Sequence, residues 1–241
     1  PLQKQYDTEL VFGEDRNKLQ DAVNRLESRG AERILAIPLY ISFHSPVVQI
    51  LEYLLGITSE PPQMQREEQP ITIKADLHMC HAMEHHPFAA EILLERTVEI
   101  SRAPSKEIVV LVAHGPTTEK AETLWLRSMW TLSSYVKEKG GFKDATVATI
   151  MFGAAPEIKD KANKEFRELV EKKGKEGDVL VMPCVLAPGG IEDKVKDQLK
   201  GLKFRFGKPY LPHPNVTKWL LAVIESHLEI WEKEPKGLIL E

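Results

Sequence analysis

The residues most able to do chemistry sit at strand-to-helix turns. His114 lies in IVVLVAHGPTTE, where a continuously apolar run meets a Gly-Pro turn and then Thr117, Thr118 and Glu119. Glu192 follows LAPGG at another such turn, and His44 occupies a third, in ISFHSP. An imidazole with a pKa near neutrality can hold a divalent cation or accept a proton. A carboxylate can accept or relay a second proton. Residues 78–86 (HMCHAMEHH) are the densest group of potential metal ligands: five of the nine are His or Cys and two more are Met. Imidazole suits Co, Ni, Zn, Fe and Cu, while sulfur suits softer ions. The layout is not that of a zinc finger, because no second CxxC or HxxxH group accompanies it. His81 and His85 are four apart and share a face if this stretch is helical. His85 and His86 are the best candidates within it, since they stand immediately before a helical pattern.

Each of these residues has a plainer explanation. His114 can be a structural His in a turn, and Glu192, like Asp193, a helix-start carboxylate favoured by the dipole. His44 can be a surface residue before a helix, and 78–86 a solvated loop. Topology favours function for His114, because ligands of open α/β sheets gather at the carboxyl ends of strands. His213 is a weaker candidate for the same site, and His227, inside the last helical pattern, reads as structural.

The elements that position these residues are marked by a repeat. Residues 38–56 (PLYISFHSPVVQILEYLLG) and 183–201 (PCVLAPGGIEDKVKDQLKG) have equal length and plan: Pro after an apolar run, a polar turn, a short helical stretch, a closing Gly. LVFG (10–13) precedes the first copy and IMFG (150–153) the second. His86-Pro87 and His213-Pro214 follow. The copies differ chemically, with His44 aligned to Gly189 and Glu192 to Val47. Two related halves imply a cleft between them, where ligands bind.

Short apolar runs alternate with amphipathic helical patterns. Strands are expected over 9–12, 33–41, 71–74, 107–113, 146–152, 178–186 and 203–206. Helices are expected over 15–28, 46–55, 88–101, 119–137, 156–173, 191–199 and 216–232. Continuously apolar strands such as IVVLVA are those of parallel sheets covered on both faces. The fold class is therefore α/β: two similar Rossmann-like halves with parallel sheets facing a central cleft. The joint is placed at SRAPSK, giving halves 1–103 and 104–241. EPPQMQREEQP (60–70) reads as a polar loop. His114 lies 39 residues before Gly153, and the same count back from Gly13 runs past Pro1. The first half is thus expected to lack its opening strand, turn and helix. An incomplete sequence is the first explanation, a natural truncation filled by another chain the second.

Composition excludes several classes. A net charge of −4 gives no case for nucleic acid as the main partner. No apolar run reaches the roughly 20 residues of a membrane span. Two distant cysteines argue against a disulfide framework and for a reducing, cytoplasmic compartment. There is no GxxxxGK(S/T), no GxGxxG after a strand and no GxSxG, which disfavours ATP and nicotinamide chemistry.

The ordered set of LVAHGP (111–116), the paired PLY/PCV segments and LAPGGIEDKVKDQL around Glu192 resembles the class II tetrapyrrole chelatases. The closest branch is that of the sirohydrochlorin cobaltochelatase (CbiX-like) proteins. EHHPFAAEILLERTVEIS and LPHPNVTKWL resemble further stretches of that branch, so the likeness spans nearly the whole chain. The resemblance implies a chelatase fold and ATP-independent insertion of a divalent metal into sirohydrochlorin or a related tetrapyrrole. Co²⁺ is the first expectation as the metal substrate, with Ni²⁺ or Fe²⁺ using the same ligand types. It implies His114 as metal ligand and base, Glu192 as proton acceptor or metal relay, and His44 with His85 or His86 as supporting ligands. Two departures bear on activity: the front of the first half has no second His-Gly turn, and Ile191-Glu192 stand where some chelatases carry a His. A non-catalytic metal or tetrapyrrole carrier derived from a chelatase is the alternative. A third class, a two-lobed small-molecule binding protein, shares the architecture but not the His and Glu turns. The oligomeric state is not addressed by any of these features.

Overall fold

The structure, a computed structural model, describes residues 5–62 and 68–233. Among the described residues seven α-helices and six strands alternate: α1 (Arg16–Ser28), β1 (Arg33–Ala36), α2 (Pro46–Leu54), β2 (Asp76–Met79), α3 (Pro87–Ile100), β3 (Glu107–Ala113), α4 (Glu119–Gly140), β4 (Asp144–Thr149), α5 (Pro156–Gly174), β5 (Asp178–Cys184), α6 (Gly190–Gln198), β6 (Arg205–Phe206) and α7 (Pro214–Lys233). All strand pairs are parallel. β1 pairs β2, and the other four run in the order β4-β3-β5-β6. The expected α/β class with parallel sheets is observed.

The two sheets fall before and after residue 103, yet the compact units exchange helices. Among the described residues one unit comprises 5–39, 45–62, 68–82 and 217–233, so it takes most of α7. The other comprises 40–44 and 83–216, and includes α3. The repeat is structural. β1 and β5 lead into the twinned segments, α2 and α6 form their helices, and a His-Pro pair opens α3 and α7.

In the second unit all seven residues of β3 are buried. Its side chains alternate between faces with the strand period of two. Val110 and Val112 join Val179 and Val181 of β5, Phe166 and Val170 of α5, and Val195 and Leu199 of α6 in one core. The opposite face meets α4, while α3 packs on α4 and β5. Glu107 anchors the start of β3. Burial opposes its charge, but Ser101 Oγ, the Arg102 and Ala103 N–H groups and Arg205 all donate to it, holding the carboxyl down at about 2.

In the first unit, Leu19, Ala22 and Val23 of α1, Val48, Leu51 and Leu54 of α2, and Trp219 of α7 are buried. Two strand expectations fail there. Residues 9–12 form no strand. Residues 71–74 are also irregular, because α1 side chains take their backbone donors: Thr72 N–H gives to Gln20 Oε1 at 2.7 Å and Lys74 N–H to Glu27 Oε1 at 2.6 Å. The strand forms instead at Asp76–Met79, so the His-rich segment opens as β2 and continues as a turn. His81 and His85 therefore share no helical face. The Pro-rich loop 60–70 lies partly outside the described residues.

Candidate active site

His114 is the first residue past β3. Ala113 pairs Thr149 of β4 on one side and Cys184 of β5 on the other, so three strand ends are level there. β3 is followed in sequence by its neighbour on one side, β4, and β5 by its neighbour on the other, β6. The turns after β3 and β5 thus flank the point where strand order reverses, the favoured ligand position in such sheets.

The local backbone allows few substitutes. Gly115 has φ +78°, and a Cβ there would lie 2.9 Å from Thr149 Cβ and 3.0 Å from Met151 N. Met151 is fully buried and itself left-handed, with φ +42°, a conformation costing a non-glycine residue about 1–2 kcal/mol. That bend carries Phe152 over the turn. Its N–H donates to the His114 carbonyl at 3.1 Å. Its ring lies edge-on to the imidazole, with centroids 5.5 Å apart.

The imidazole has a defined tautomer. Nδ1 lies 2.6 Å from the Gly115 carbonyl oxygen. A carbonyl only accepts, so Nδ1 carries the proton and Nε2 keeps its lone pair. Burial pushes the His114 pKa below its ordinary value and the Lys194 cation adds to this, against the Gly115 bond. A neutral imidazole with a lone pair on Nε2 is a metal ligand or a base.

Glu192 is buried in the first turn of α6, and both its oxygens accept from Gly189 N–H, at 3.2 and 3.0 Å. This is the helix-start role that its position suggests. Two residues on, Lys194 extends its Nζ to 3.3 Å from the Phe152 ring centroid. The β3 and β5 turns are thereby linked by a row of imidazole, phenyl and ammonium groups.

The remaining candidates gather around Glu84. Its carboxylate accepts from Ser42 Oγ at 3.0 Å and from Phe43 N–H, while Met83 and Glu84 N–H donate to the carbonyls of Tyr40 and Ile41 at 3.0 and 2.9 Å. This lacing sets the half-buried His44 and the exposed His85 on joined loops. His44 N–H donates to Ser42 Oγ at 3.2 Å, and His85 Nδ1 is 2.8 Å from Ser128 Oγ. His86 caps α3, its Nδ1 accepting from Phe88 N–H at 3.2 Å. His213 repeats this before α7, accepting from Asn215 N–H at 3.2 Å. The repeated His-Pro pair is thus a helix cap. In both, Nδ1 accepts, so in the neutral ring Nε2 carries the proton.

Among the described residues no three His, Cys, Asp or Glu side chains converge so as to hold a metal ion. His114, Glu192, His44, His85 and His86 all lie in the second unit but do not form a ready-made metal group. His78 lies in the other unit, where its Nε2 accepts from Trp231 Nε1 at 3.1 Å. Cys80 and Cys184 are free and buried, and burial raises each thiol to about 12, which withholds the thiolate that binds metals. Three residues were not anticipated as part of the site: Phe152, Lys194 and Glu84. Phe152 lies within IMFG, which reads as a repeat landmark, and Lys194 within IEDKVKDQ, which reads as an exposed helix. Glu84 stands among the histidines of 78–86 and carries no signal of its own.

The chain aligns with SirB from Bacillus subtilis, solved with Fe³⁺, at a TM-score of 0.65 and 14% identity, covering 90% of this chain and 80% of that one. It also aligns with DR2241 from Deinococcus radiodurans, described as a multi-domain protein with structural similarity to chelatases and two additional novel domains. There the TM-score is 0.50 and the identity 13%, over 89% of this chain and 52% of the other, so it spans about half of DR2241. The fold is chelatase-like. No protein-family model and no curated protein matches the chain. On this chelatase-like scaffold His114 and Glu192 occupy the turns at the strand-order reversal, with Phe152 and Lys194 between them. No helix among the described residues is long and apolar enough to cross a membrane.

Proposed function

We propose that the protein inserts a divalent metal into a tetrapyrrole without ATP, as a chelatase of the lyase class. The observation that carries this is the His114 tautomer: a half-buried imidazole at the strand-order reversal, its Nδ1 proton tied to Gly115 and its Nε2 lone pair available. Insertion exchanges M²⁺ for two pyrrole N–H protons. His114 Nε2 first receives the partly desolvated cation and, once the cation has passed to the ring nitrogens, accepts a proton. Glu192 accepts or relays the second proton after releasing Gly189 N–H. His44 and His85, on the loops laced by Glu84, are the supporting ligands. His86 is left out of this set because its cap bond leaves the other ring nitrogen protonated.

The finer reading is sirohydrochlorin with Co²⁺, within cobalamin biosynthesis. Fe²⁺ and Ni²⁺ stand beside Co²⁺ in the assay, iron because SirB, of the same fold, was solved with Fe³⁺. Mixing protein, sirohydrochlorin and each metal tests this through the absorbance change of the metallated product. Turnover that survives His114→Ala removes that residue from the mechanism. A second reading, a tetrapyrrole or metal carrier, is favoured by one observation: both Glu192 oxygens are occupied by the helix cap. Stoichiometric binding with no insertion supports the carrier.

A further inference from the structure

We propose that Lys194 and Phe152 form the subsite for an acidic side group of the tetrapyrrole, Lys194 pairing its carboxylate while Phe152 supports the ring face. The inference rests on the function proposed above and names what selects its substrate.

Phe152 is 37% exposed, unusual for a large apolar side chain that the backbone holds in place. The left-handed Met151 and the Phe152 N–H bond to His114 keep it there. A flat conjugated ring has a face to offer such a phenyl group. Lys194 is exposed, and its ammonium rests over that ring. Two nearby lysines are committed elsewhere. Lys196, on the same helix, pairs Asp193 at 3.7 Å and lies over Phe206. Lys161 pairs Glu119 at 3.2 Å. Lys194 has no carboxylate partner among the described residues, and its contact is the weak, solvent-exposed kind of cation–π interaction. A substrate carboxylate offers a stronger, charge-assisted bond. A rotation of the side chain makes the exchange and uncovers the phenyl face for the macrocycle, 5.5 Å from the His114 ring.

The test compares metal insertion into sirohydrochlorin with insertion into its peripheral methyl esters. The wild-type protein is expected to have a lower KM for the acid, an advantage that shrinks as salt is added. Lys194→Met is expected to cut the ester-to-acid KM ratio about tenfold, chiefly by raising KM for the acid, with kcat for the acid changed less than twofold. Lys194→Arg restores most of the ratio, which a merely structural lysine would not require. A ratio unchanged in Lys194→Met overturns the inference. If the wild-type chain inserts metal into neither compound, the proposed function fails. The same ratio, read from absorbance titrations of the metal-free compounds, then decides the subsite: a tenfold fall supports it and an unchanged ratio overturns it.

Discussion

His114 and His86 both stand at a turn before a helix, within the same unit, and their rings are used in opposite senses. His114 gives its Nδ1 proton to the carbonyl of the next residue and keeps a lone pair on Nε2. His86 spends its Nδ1 lone pair on the N–H of Phe88 and leaves a proton on Nε2. His213 sides with His86 and donates that Nε2 proton to Glu95, 3.1 Å away. The backbone decides which. After β3 the left-handed Gly115 turns its carbonyl back to the ring. Before α3 and α7, Pro at the first helical position leaves the next N–H without a helical partner, and the His ring supplies one. One residue type thus makes a candidate reactive group in one turn and a helix cap in the other.

The largest effect that separates them is on the reaction. His114→Ala is expected to lower kcat/KM for metal insertion at least ~100-fold, the usual scale for losing a positioned acid–base group. The Tm should move by only a few degrees, as read by circular dichroism. Near-normal insertion by this variant would erase the distinction between the two histidines.

Gly115→Ala tests the backbone that makes the difference. A methyl group at φ +78° would press on Thr149 Cβ and the Met151 backbone, so a loss of roughly 3 kcal/mol is expected in denaturant unfolding. The carbonyl that orients His114 moves with it, so kcat should fall in the protein that remains folded. An unchanged unfolding midpoint would show that the turn does not hold the imidazole.

How far these roles were legible follows from the range of the forces involved. The helices, the parallel strands and the twinned segments are local patterns, and all seven helices appear within a few residues of their expected bounds. The strand expected at 71–74 was lost because Gln20 and Glu27, some fifty residues earlier, capture its donors. No local pattern carries that information. The same limit applies at the site. Position alone singles out His114, Glu192 and the His-Pro pairs, but not which ring nitrogen the backbone occupies. Phe152 and Lys194 sit about forty residues apart and meet His114 only through the order of the strands.

A smaller effect lies in pH. Burial, reinforced by Lys194, depresses the His114 pKa, so the neutral ring persists below the ordinary histidine value near 6.5. The acid limb of kcat/KM should therefore have its midpoint below that value, and Lys194→Met should move it upward. Stability follows the same sign. The unfolded chain binds the proton more readily, so this group's contribution is full above about 6.5 and declines as the pH falls through that value. Burial lowers His86 and His227 too, so a stability profile reports all three residues, whereas the rate profile reports His114. An acid limb at or above 6.5 would remove the electrostatic part of the contrast.

The smallest effect belongs to the cap itself. His86→Ala removes the acceptor for Phe88 N–H and should cost about 1 kcal/mol, as the loss of a helix cap usually does. For a domain of this size that is a shift of roughly 2–4 °C in Tm. His86→Asn, whose side-chain oxygen can accept the same N–H, should recover most of it. A metal ligand behaves otherwise, since the amide is a poor substitute for imidazole and stability would hardly change. If His86→Asn restores Tm, His86 is a cap. If neither variant alters Tm while both raise the metal concentration needed for half-maximal insertion, His86 joins His114 as a ligand and the contrast between the two turns collapses.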